Sequence, residues 1–309
     1  MSIPKISVLM SVYNGEDSLK KAIESILNQT HEDYEFIIIN DGSTDNSWDI
    51  IQHYAMYDSR IIKYNQINMG LTKTLNKGIH TARGKYIFRQ DADDSSNKDR
   101  LKKQINWFNT HENGVLCATW AKKNNIYYKI RLYNNPTDQH NISRYLKYRN
   151  SFNHTSVGFL KNINGYDIQY NENIKYAQDY ELWSRMNKWG KVGNIGEYLV
   201  SINEGNESIS KKNYSEQRAY AILVAMRNNY PELEKLFSCK LINPINSIIR
   251  LQKLNKYQKK IDLLLFLYQL KLNHKLPNFG NVVNSSRKEL FNNLDVFLPS
   301  LIKNRLNIN

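Results

Sequence analysis

The sequence predicts an α/β fold, a mostly parallel sheet with flanking helices, followed by a C-terminal helical extension. Two patterns lead to this class. In the first 95 residues, short apolar runs typical of buried strands alternate with segments whose apolar residues recur at helical spacing. From residue 211 onward the pattern becomes helical and strongly basic. Alternating strands and helices build a parallel sheet with right-handed crossovers, in which ligands bind beyond the carboxyl ends of the strands.

The elements follow in order. The predicted strands of the first part are residues 6–13, 35–39, 61–64 and 86–88. Apolar spacing predicts helices between them, around residues 19–27, 48–55 and 71–79. Later segments predict strands within 115–121 and 125–133 and helices within 137–148 and 177–190, the last ending near Gly190. Each of the first four strands is followed by a polar turn, so these turns are expected along one edge of the sheet.

Composition excludes several classes of protein. The longest apolar stretch, Ile261–Leu270, is far shorter than the roughly 20 residues that span a bilayer. The first residues lack the features of a secretory signal. The two cysteines, Cys117 and Cys239, are far apart and favour a reducing setting. We therefore expect a cytoplasmic protein, either free or peripheral on the cytoplasmic face of the inner membrane.

The net charge of +14 is unevenly distributed. Residues 211–309 hold 17 Lys and Arg against 6 Asp and Glu, whereas residues 1–210 hold 26 against 23. This asymmetry favours an anionic partner for the C-terminal region, either a membrane surface, a phosphorylated acceptor or nucleic acid. No nucleic-acid-binding motif is present, so we expect no nucleic acid partner. A solvated helical surface is the plainer alternative.

The segment RQDADD, which follows the fourth strand, concentrates negative charge in a basic chain. Side chains alternate along an extended segment, so Asp91 and Asp93 are expected to point the same way. Two such carboxylates repel each other unless a cation lies beside them. Mg²⁺ or Mn²⁺ takes oxygen ligands and commonly keeps phosphate oxygens in its shell. The alternative is an Asp-rich turn in which Asp94 caps the next helix.

Other strand ends carry candidate ligand-binding residues. Asp41 directly follows the second strand, where a carboxylate can read a base edge such as the imide of uracil. Tyr13 ends the first strand, where its ring can stack on a base. Arg83 and Arg89 flank the fourth strand and can offset phosphate charge. Each has a plainer alternative. Asp41 could belong to an ordinary turn, Tyr13 could be a core residue, and the two arginines could be solvated on the surface. No G-x-G-x-x-G loop follows a strand, so bound phosphates would have to be held in another way.

Five segments together resemble the bacterial family 2 glycosyltransferases of the GT-A fold. They are ISVLMSVYNGEDSLKKAIESILNQTHEDYEFIIINDGSTDNS, NMGLTKTLNKGIHTARGKYIF, RQDADD, NHTSVGF and AQDYELW. Within this family the chain is similar to transferases that build lipooligosaccharide, O-antigen or capsule chains. The resemblance covers about residues 4–210 and does not extend convincingly over residues 211–309.

The resemblance implies roles for individual residues. The D-x-D motif of the family falls on Asp91, Ala92 and Asp93. Asp91 would lie near the ribose, and Asp93 would ligate the Mn²⁺ or Mg²⁺ that bridges the diphosphate. Positions that contact the base in the family fall on Ser11, Tyr13, Glu16 and Asp41.

The catalytic base of the family falls on Asp179. Asp179 opens a predicted helix, whose positive end favours an ionised carboxylate; a plain N-cap is the alternative. Glu181 is the second candidate base, and His154 matches a family histidine near the acceptor. The chain departs from the family at Gln178, where an acidic residue is usual. It also departs at Asn203, where relatives often carry a histidine that approaches the metal.

The resemblance implies an inverting transfer of a hexose or N-acetylhexosamine. The donor would be a nucleotide sugar, most often UDP-linked, and the acceptor a hydroxyl of a surface glycan or lipid-linked oligosaccharide. We expect a catalytic domain over residues 1–210, with a nucleotide-sugar half of about 1–95 and an acceptor half of about 96–210. Residues 211–309 would form the basic helical region. The alternative function is a non-catalytic module that binds a nucleotide sugar or a glycan.

Overall fold

A computed structural model describes residues 4–124, 130–203 and 214–229. It confirms the α/β class. The helices are α1 Glu16–Leu27, α2 Ser47–Tyr57, α3 Leu71–Thr81, α4 Arg100–Thr110, α5 Gln139–Leu146, α6 Gln178–Met186 and α7 Tyr214–Asn229. The strands are β1 Ile6–Val12, β2 Tyr34–Asp41, β3 Ile61–Gln66, β4 Tyr86–Arg89, β5 Ser95–Ser96, β6 Gly114–Asn124, β7 Ile130–Tyr133, β8 Gly158–Leu160, β9 Asn162–Ile163, β10 Tyr166–Asp167 and β11 Lys191–Asn203.

The main sheet runs in the order β3-β2-β1-β4-β8-β6-β11-β5, with β7 paired to β6. Strands β1 to β4 are parallel to one another, and so are β6 and β11. Strand β8 lies antiparallel between β4 and β6 and thereby joins the two parallel groups. Strands β9 and β10 form a separate antiparallel pair. The parallel groups send the carboxyl ends of their strands to the edge where the acidic turn lies.

Helical spacing in the sequence accounts for the core of the first part. Helix α1 buries the apolar residues that recur every three or four positions, namely Leu19, Ala22, Ile23 and Ile26. Strand β2 is buried on both faces, as its continuous apolar run predicts for a central parallel strand. Burial of these side chains supplies the main favourable free energy of folding.

Contacts divide the chain into two compact units. The described part of the first consists of residues 4–124, 130–145, 150–172 and 178–203 and holds the sheet. The described part of the second consists of residues 146–149, 173–177 and α7. In the second unit, the Asn228 side chain donates to the carbonyl of Leu146 at 2.6 Å, and the rings of Tyr176 and Tyr220 lie 5.8 Å apart.

Two details of the sequence-based expectations change. Helix α6 ends at Met186, before the predicted stop at Gly190, and short turns occupy the residues between. Of the basic region 211–309, only α7 falls within the described residues, so the predicted later helices lie outside them. No helix in the described ranges is long and apolar enough to cross a membrane.

Candidate active site

The loops after β1 and β2 are joined by reciprocal hydrogen bonds. The Asn14 backbone N–H donates to the Ser43 hydroxyl at 3.0 Å, and Gly15 N–H donates to the Ser47 hydroxyl at 2.9 Å. The Glu16 carboxylate accepts from the backbone and side chain of Asn46, at 3.0 and 2.7 Å. Glu16 therefore holds the second loop in place through one carboxylate oxygen, and its role at the base stays a prediction.

The residues at the end of β1 differ in exposure. Ser11 is half-buried inside the strand and is paired with Ile39 of β2. Tyr13 follows the strand and is 56% exposed, so its ring is not a core residue. An exposed aromatic ring at a strand end is suited to stacking on a flat ligand.

Asp41 is buried at the end of β2 and already has three protein donors. Its carboxylate accepts from the backbone N–H groups of Met69 and Gly70, at 2.8 and 3.0 Å, and from the Gln66 amide at 2.8 Å. These bonds fix the segment that leads into α3. A carboxylate has about four lone-pair positions, so one position remains for a further donor such as a base N–H.

The acidic segment forms a turn rather than the extended backbone that the sequence suggested. The backbone N–H of Asp94 donates to the carbonyl of Asp91 at 3.2 Å, which closes the turn. The turn rests on the first turn of α1, because the Ser18 hydroxyl donates to the Ala92 carbonyl at 3.1 Å. Asp93 is exposed at its tip. The inference that alternation makes Asp91 and Asp93 point the same way therefore does not apply.

Asp94 is buried and serves the scaffold. Its carboxylate accepts from the backbone N–H of Asn203 at 3.0 Å and from the Thr155 hydroxyl. The Asn203 side chain donates to the Asp93 carbonyl at 2.6 Å, so the end of β11 is fastened to the acidic turn. The alternative reading of the sequence, in which Asp94 caps the next helix, is not what the structure has. Helix α4 begins after Asp99 and has no side-chain cap.

Two fully buried arginines lie behind the turn. The Arg89 guanidinium pairs with the Asp91 carboxylate and donates to the carbonyl of Leu9 at 2.6 Å. Arg100 donates to the Arg89 carbonyl at 2.6 Å, to the Ser96 hydroxyl at 2.8 Å, and to two glutamine side chains. Burial, and then the charge of Arg89, lower the pKa of Arg100 to about 9. The two guanidiniums provide positive charge beneath a cluster of three carboxylates.

Crowding alters the acidity of the turn. Desolvation by the surrounding protein, and then the Asp91 carboxylate, raise the pKa of Asp93 to about 6, although the surface of Asp93 is exposed. Burial and the carboxylates of Asp91 and Asp93 raise the pKa of Asp94 well above its usual range. Carboxylates that repel one another in this way favour a bound cation.

The carboxylates of Asp91 and Asp93 fit a divalent cation that takes most of its other ligands from a bound phosphate compound. Among the described residues, no other side chain donates to the Asp93 carboxylate, and Asp91 has one oxygen engaged by Arg89. No group of three acidic, histidine or cysteine side chains converges on a metal position in the same residues. Mg²⁺ and Mn²⁺ sites in phosphate-binding proteins commonly use one or two carboxylates plus phosphate oxygens.

His154 links the acidic turn to the acceptor half. The Arg89 Nε–H donates to His154 Nε2 at 3.3 Å, and the Tyr170 hydroxyl lies 2.8 Å from the same nitrogen. Because Nε2 accepts the hydrogen bond from Arg89, it carries no hydrogen of its own. The ring is therefore neutral and carries its hydrogen on Nδ1. Burial, and then Arg89, lower the pKa of His154, while Asp91 and Asp179 raise it. Both carboxylates therefore lie close enough to act on this ring.

Asp179 lies in the first turn of α6 and is half-buried. The Asn150 amide donates to its Oδ2 at 2.7 Å, which is the one hydrogen bond found for this carboxylate in the described ranges. Ala177, two residues earlier, has a φ of 57°, a left-handed conformation uncommon for alanine. The chain thus turns sharply before it presents Asp179 at the start of the helix.

Glu181, the second candidate base, is 1% exposed. Its carboxylate accepts from the Arg185 guanidinium at 2.9 to 3.1 Å, one helical turn later. A buried carboxylate that is paired in this way is not accessible to an acceptor hydroxyl. The prediction for Glu181 is therefore wrong, and the residue stabilises α6.

Arg83 lies at the opposite edge of the sheet from the acidic turn. Its backbone and guanidinium donate to the buried Glu35 carboxylate, each at 2.7 Å. Glu35 is the second residue of β2, six residues before Asp41, which corresponds to about 20 Å along the strand. Arg83 precedes β4, so parallel geometry places it at the amino edge. The expectation that it binds the nucleotide sugar is wrong.

Several site residues had no role in the sequence-based prediction. Asn150 contacts Asp179, Tyr170 contacts His154, and Arg100 contacts Arg89 and Ser96, which flank the acidic turn. Arg100 and Gln104 stand four residues apart on α4, a spacing that brings side chains together on a helix. That spacing is a readable signal. The contacts of Asn150 and Tyr170 depend on tertiary folding and leave no local pattern.

The fold is an α/β sheet whose carboxyl edge carries two accessible carboxylates, Asp93 and Asp179, and the contact between the buried Arg89 and the half-buried His154. Residues 7–164 match the family model described as glycosyl transferase family 2. This match covers half of the chain, and the chain belongs to that family. It is a glycosyltransferase.

One relative resembles the chain in sequence, and two solved structures resemble it in fold. The chain is 29% identical to the amylovoran biosynthesis glycosyltransferase AmsE of Erwinia amylovora over 72% of this chain and 86% of AmsE. Its fold resembles TarS 1-349 of S. aureus, solved in complex with UDP-GlcNAc (TM-score 0.58, 17% identity, 85% of this chain, 80% of TarS 1-349). It also resembles the mannosyltransferase PcManGT of Pyrobaculum calidifontis, solved with GDP-Man and Mn²⁺ (TM-score 0.54, 12% identity, 100% of this chain, 89% of PcManGT).

Proposed function

We propose that this glycosyltransferase moves a hexose or N-acetylhexosamine from a UDP-linked sugar to a hydroxyl of a bacterial surface glycan, with inversion at the anomeric carbon. The observation that carries the proposal is the pair of accessible carboxylates, Asp93 and Asp179. The acidic turn that carries Asp93 is joined to the Arg89–His154 contact through Asp91, which pairs with Arg89. Asp93 suits a cation beside a diphosphate, and Asp179 suits a proton acceptor.

The nucleotide would bind at the ends of β1 and β2. Tyr13 offers an exposed ring for the base, and Asp41 retains one lone-pair position for a base N–H. Ser11 would line this pocket, and Glu16 would keep the neighbouring loop in place. The TarS complex holds UDP-GlcNAc, which supports a UDP-sugar, whereas the PcManGT complex holds GDP-Man and makes GDP-sugars the second class to test.

A divalent cation held by Asp93, with Asp91 as a second carboxylate near the ribose, would supply positive charge against the diphosphate. Ala92 would bring its backbone close to the donor. The fold-level likeness to PcManGT, whose complex contains Mn²⁺, supports Mn²⁺ as the first metal to test. Asn203 fastens the turn through the Asp93 carbonyl, so its side chain organises the backbone rather than ligating a cation.

The reaction would be a single displacement. Asp179 accepts the proton of the acceptor hydroxyl as that oxygen attacks the anomeric carbon from the face opposite the diphosphate. The bond between this carbon and the diphosphate oxygen breaks, and its electron pair leaves with the nucleoside diphosphate. Holding both substrates in line lowers the barrier by removing the cost of their alignment. His154, held neutral by Arg89, would line the acceptor side.

The experiment measures release of nucleoside diphosphate from UDP-Glc, UDP-Gal, UDP-GlcNAc and GDP-Man, in Mn²⁺ and in EDTA. We expect release from at least one UDP-sugar that depends on Mn²⁺. Asp93→Ala should lower this release at least about 100-fold, because it removes the main carboxylate for the cation. Asp33→Ala, a change at an exposed aspartate, serves as the matched control. Wild-type rates in Asp93→Ala would contradict the metal assignment, and no release from any donor would contradict the proposed function.

The basic region 211–309 would bring the enzyme to an anionic membrane surface on the cytoplasmic side, where lipid-linked acceptors are assembled. Clusters such as Lys256, Lys259 and Lys260, which lie outside the described residues, supply the charge. Arg227 in α7 is buried, so its guanidinium does not add to this surface charge. Flotation of the full chain with anionic and neutral vesicles tests this idea. Equal recovery with both, or no loss when the three lysines become Glu, would contradict it.

A further inference from the structure

One short segment, Asn150–His154, contacts both sides of the candidate site. At its first residue, the Asn150 amide donates to Asp179 Oδ2 at 2.7 Å. At its last residue, His154 accepts from the Arg89 guanidinium, which in turn pairs with Asp91. The segment therefore relates the carboxylate proposed as proton acceptor to the carboxylate proposed to lie beside the donor.

Asn150 is itself held in one orientation. Its side-chain Oδ1 accepts from the backbone N–H of Phe152 at 3.1 Å, and its amide nitrogen then points to Asp179. This pairing also settles which end of the amide is oxygen, because the backbone N–H needs an acceptor and the carboxylate needs a donor. A side chain engaged at both ends is suited to set the position of its partner.

The choice of an amide has a chemical consequence. A guanidinium in the same place would pair with Asp179 and neutralise its charge, as Arg185 does for Glu181. An amide orients one carboxylate oxygen without adding positive charge. Since Asn150 engages Oδ2, the other oxygen, Oδ1, is left to accept a proton from a hydroxyl.

We propose that Asn150 is a positioning residue for Asp179, which fixes the carboxylate so that Oδ1 faces the acceptor hydroxyl. The inference rests on the proposed function and deepens it. Asn150 touches neither the donor site nor the acidic turn in the described contacts, so its effect should fall on the chemical step and leave nucleotide binding unchanged.

Asn150→Asp is the sharpest variant. The new carboxylate keeps the acceptor for the Phe152 N–H but loses the donor to Asp179 and repels it. Asn150→Ala removes both bonds. Asn141→Asp is the matched control, because Asn141 donates to Asp138 at 2.9 Å in an Asn–Asp pair at the start of α5. Turnover is measured with the best donor of the panel, and affinity for UDP is measured by calorimetry in Mn²⁺.

We expect both Asn150 variants to lower kcat by about 10- to 100-fold, since a displacement of about 1 Å can cost that much. Their Kd for UDP should stay within about twofold of the wild type, and Asn141→Asp should retain wild-type values for both. Unchanged kcat in both Asn150 variants would overturn the inference. A parallel loss of UDP affinity and thermal stability would also overturn it, because it would indicate a general scaffold role. A wild-type chain that turns over no donor contradicts the proposed function instead, so the two failures are distinguishable.

Discussion

Two short acidic segments, the turn Asp91–Asp94 and the first turn of α6, share one arrangement and differ in how it is supported. Each combines an accessible carboxylate, Asp93 or Asp179, with a buried one, Asp94 or Glu181. In the turn, the carboxylates crowd one another over two buried guanidiniums. In α6, the accessible carboxylate is held by a neutral amide and the buried one by its own arginine.

The difference indicates two kinds of chemistry. Desolvation, and then repulsion by the Asp91 carboxylate, raise the pKa of Asp93 to about 6, and a cation would offset both. The other carboxylate in the first turn of α6, Glu181, is paired with Arg185. Asp179, which has one oxygen unengaged, is better suited to accept a single proton. Residue type alone does not separate these roles, and the hydrogen-bond partners do.

The largest expected effect separates the two carboxylates of α6. Asp179→Asn should lower turnover by about 100- to 10,000-fold, since a general base contributes about that much, with little change in thermal stability. Glu181→Gln should lower thermal stability and leave turnover nearly unchanged, because it breaks a buried ion pair but leaves the proton acceptor in place. Rates from the donor panel and melting temperatures check both. Comparable activity losses in the two variants would remove the distinction.

The next effect tests the support beneath the acidic turn. Arg89→Met should lower the free energy of unfolding by about 3 kcal/mol, because it leaves buried polar partners of the guanidinium unpaired. Arg60→Met is the control, since Arg60 forms a partly exposed pair with Asp58 at 2.7 Å; it should cost less than about 1 kcal/mol. Urea denaturation of both variants measures the difference. Equal costs would mean that the buried guanidinium is no more important than a surface pair.

Local periodicity was sufficient to predict the strands and helices of the first part of the chain. Buried strands such as β2 and amphipathic helices such as α1 produce regular apolar patterns, and these patterns survived in the structure. The same reasoning failed at the acidic segment, because it treated a turn as extended backbone. A closing hydrogen bond between Asp94 and Asp91 leaves no periodic trace in four residues.

The site was predictable only in part, for physical reasons. Arg83 was placed at the wrong edge, although its position before β4 already implies the amino end of a parallel strand. The pairing of Glu181 with Arg185 could have been read from their spacing of four residues. The contacts of Asn150 and Tyr170 could not, since they join residues 29 and 16 positions apart through tertiary folding.

The smallest expected effect concerns the pH dependence at the link between the two segments. Burial, and then the charge of Arg89, lower the pKa of His154 in the folded chain. In the unfolded chain, a histidine has a pKa of about 6.5. The unfolded chain therefore binds an extra proton first as the pH falls. The stability due to neutral His154 is complete above about 6.5 and is lost progressively below it, with a slope of at most about 1.4 kcal/mol per pH unit.

His154→Gln keeps an acceptor for Arg89 and cannot titrate. This variant should therefore not show the loss of stability at low pH that protonation of His154 causes. Melting temperatures of the wild type and the variant should run in parallel above pH 7 and draw together as the pH falls toward 5. His53→Gln, at an exposed position on α2, is the control and should leave the pH profile of the wild type unchanged. A constant difference between wild type and His154→Gln at every pH would mean that the Arg89–His154 contact is not linked to proton binding.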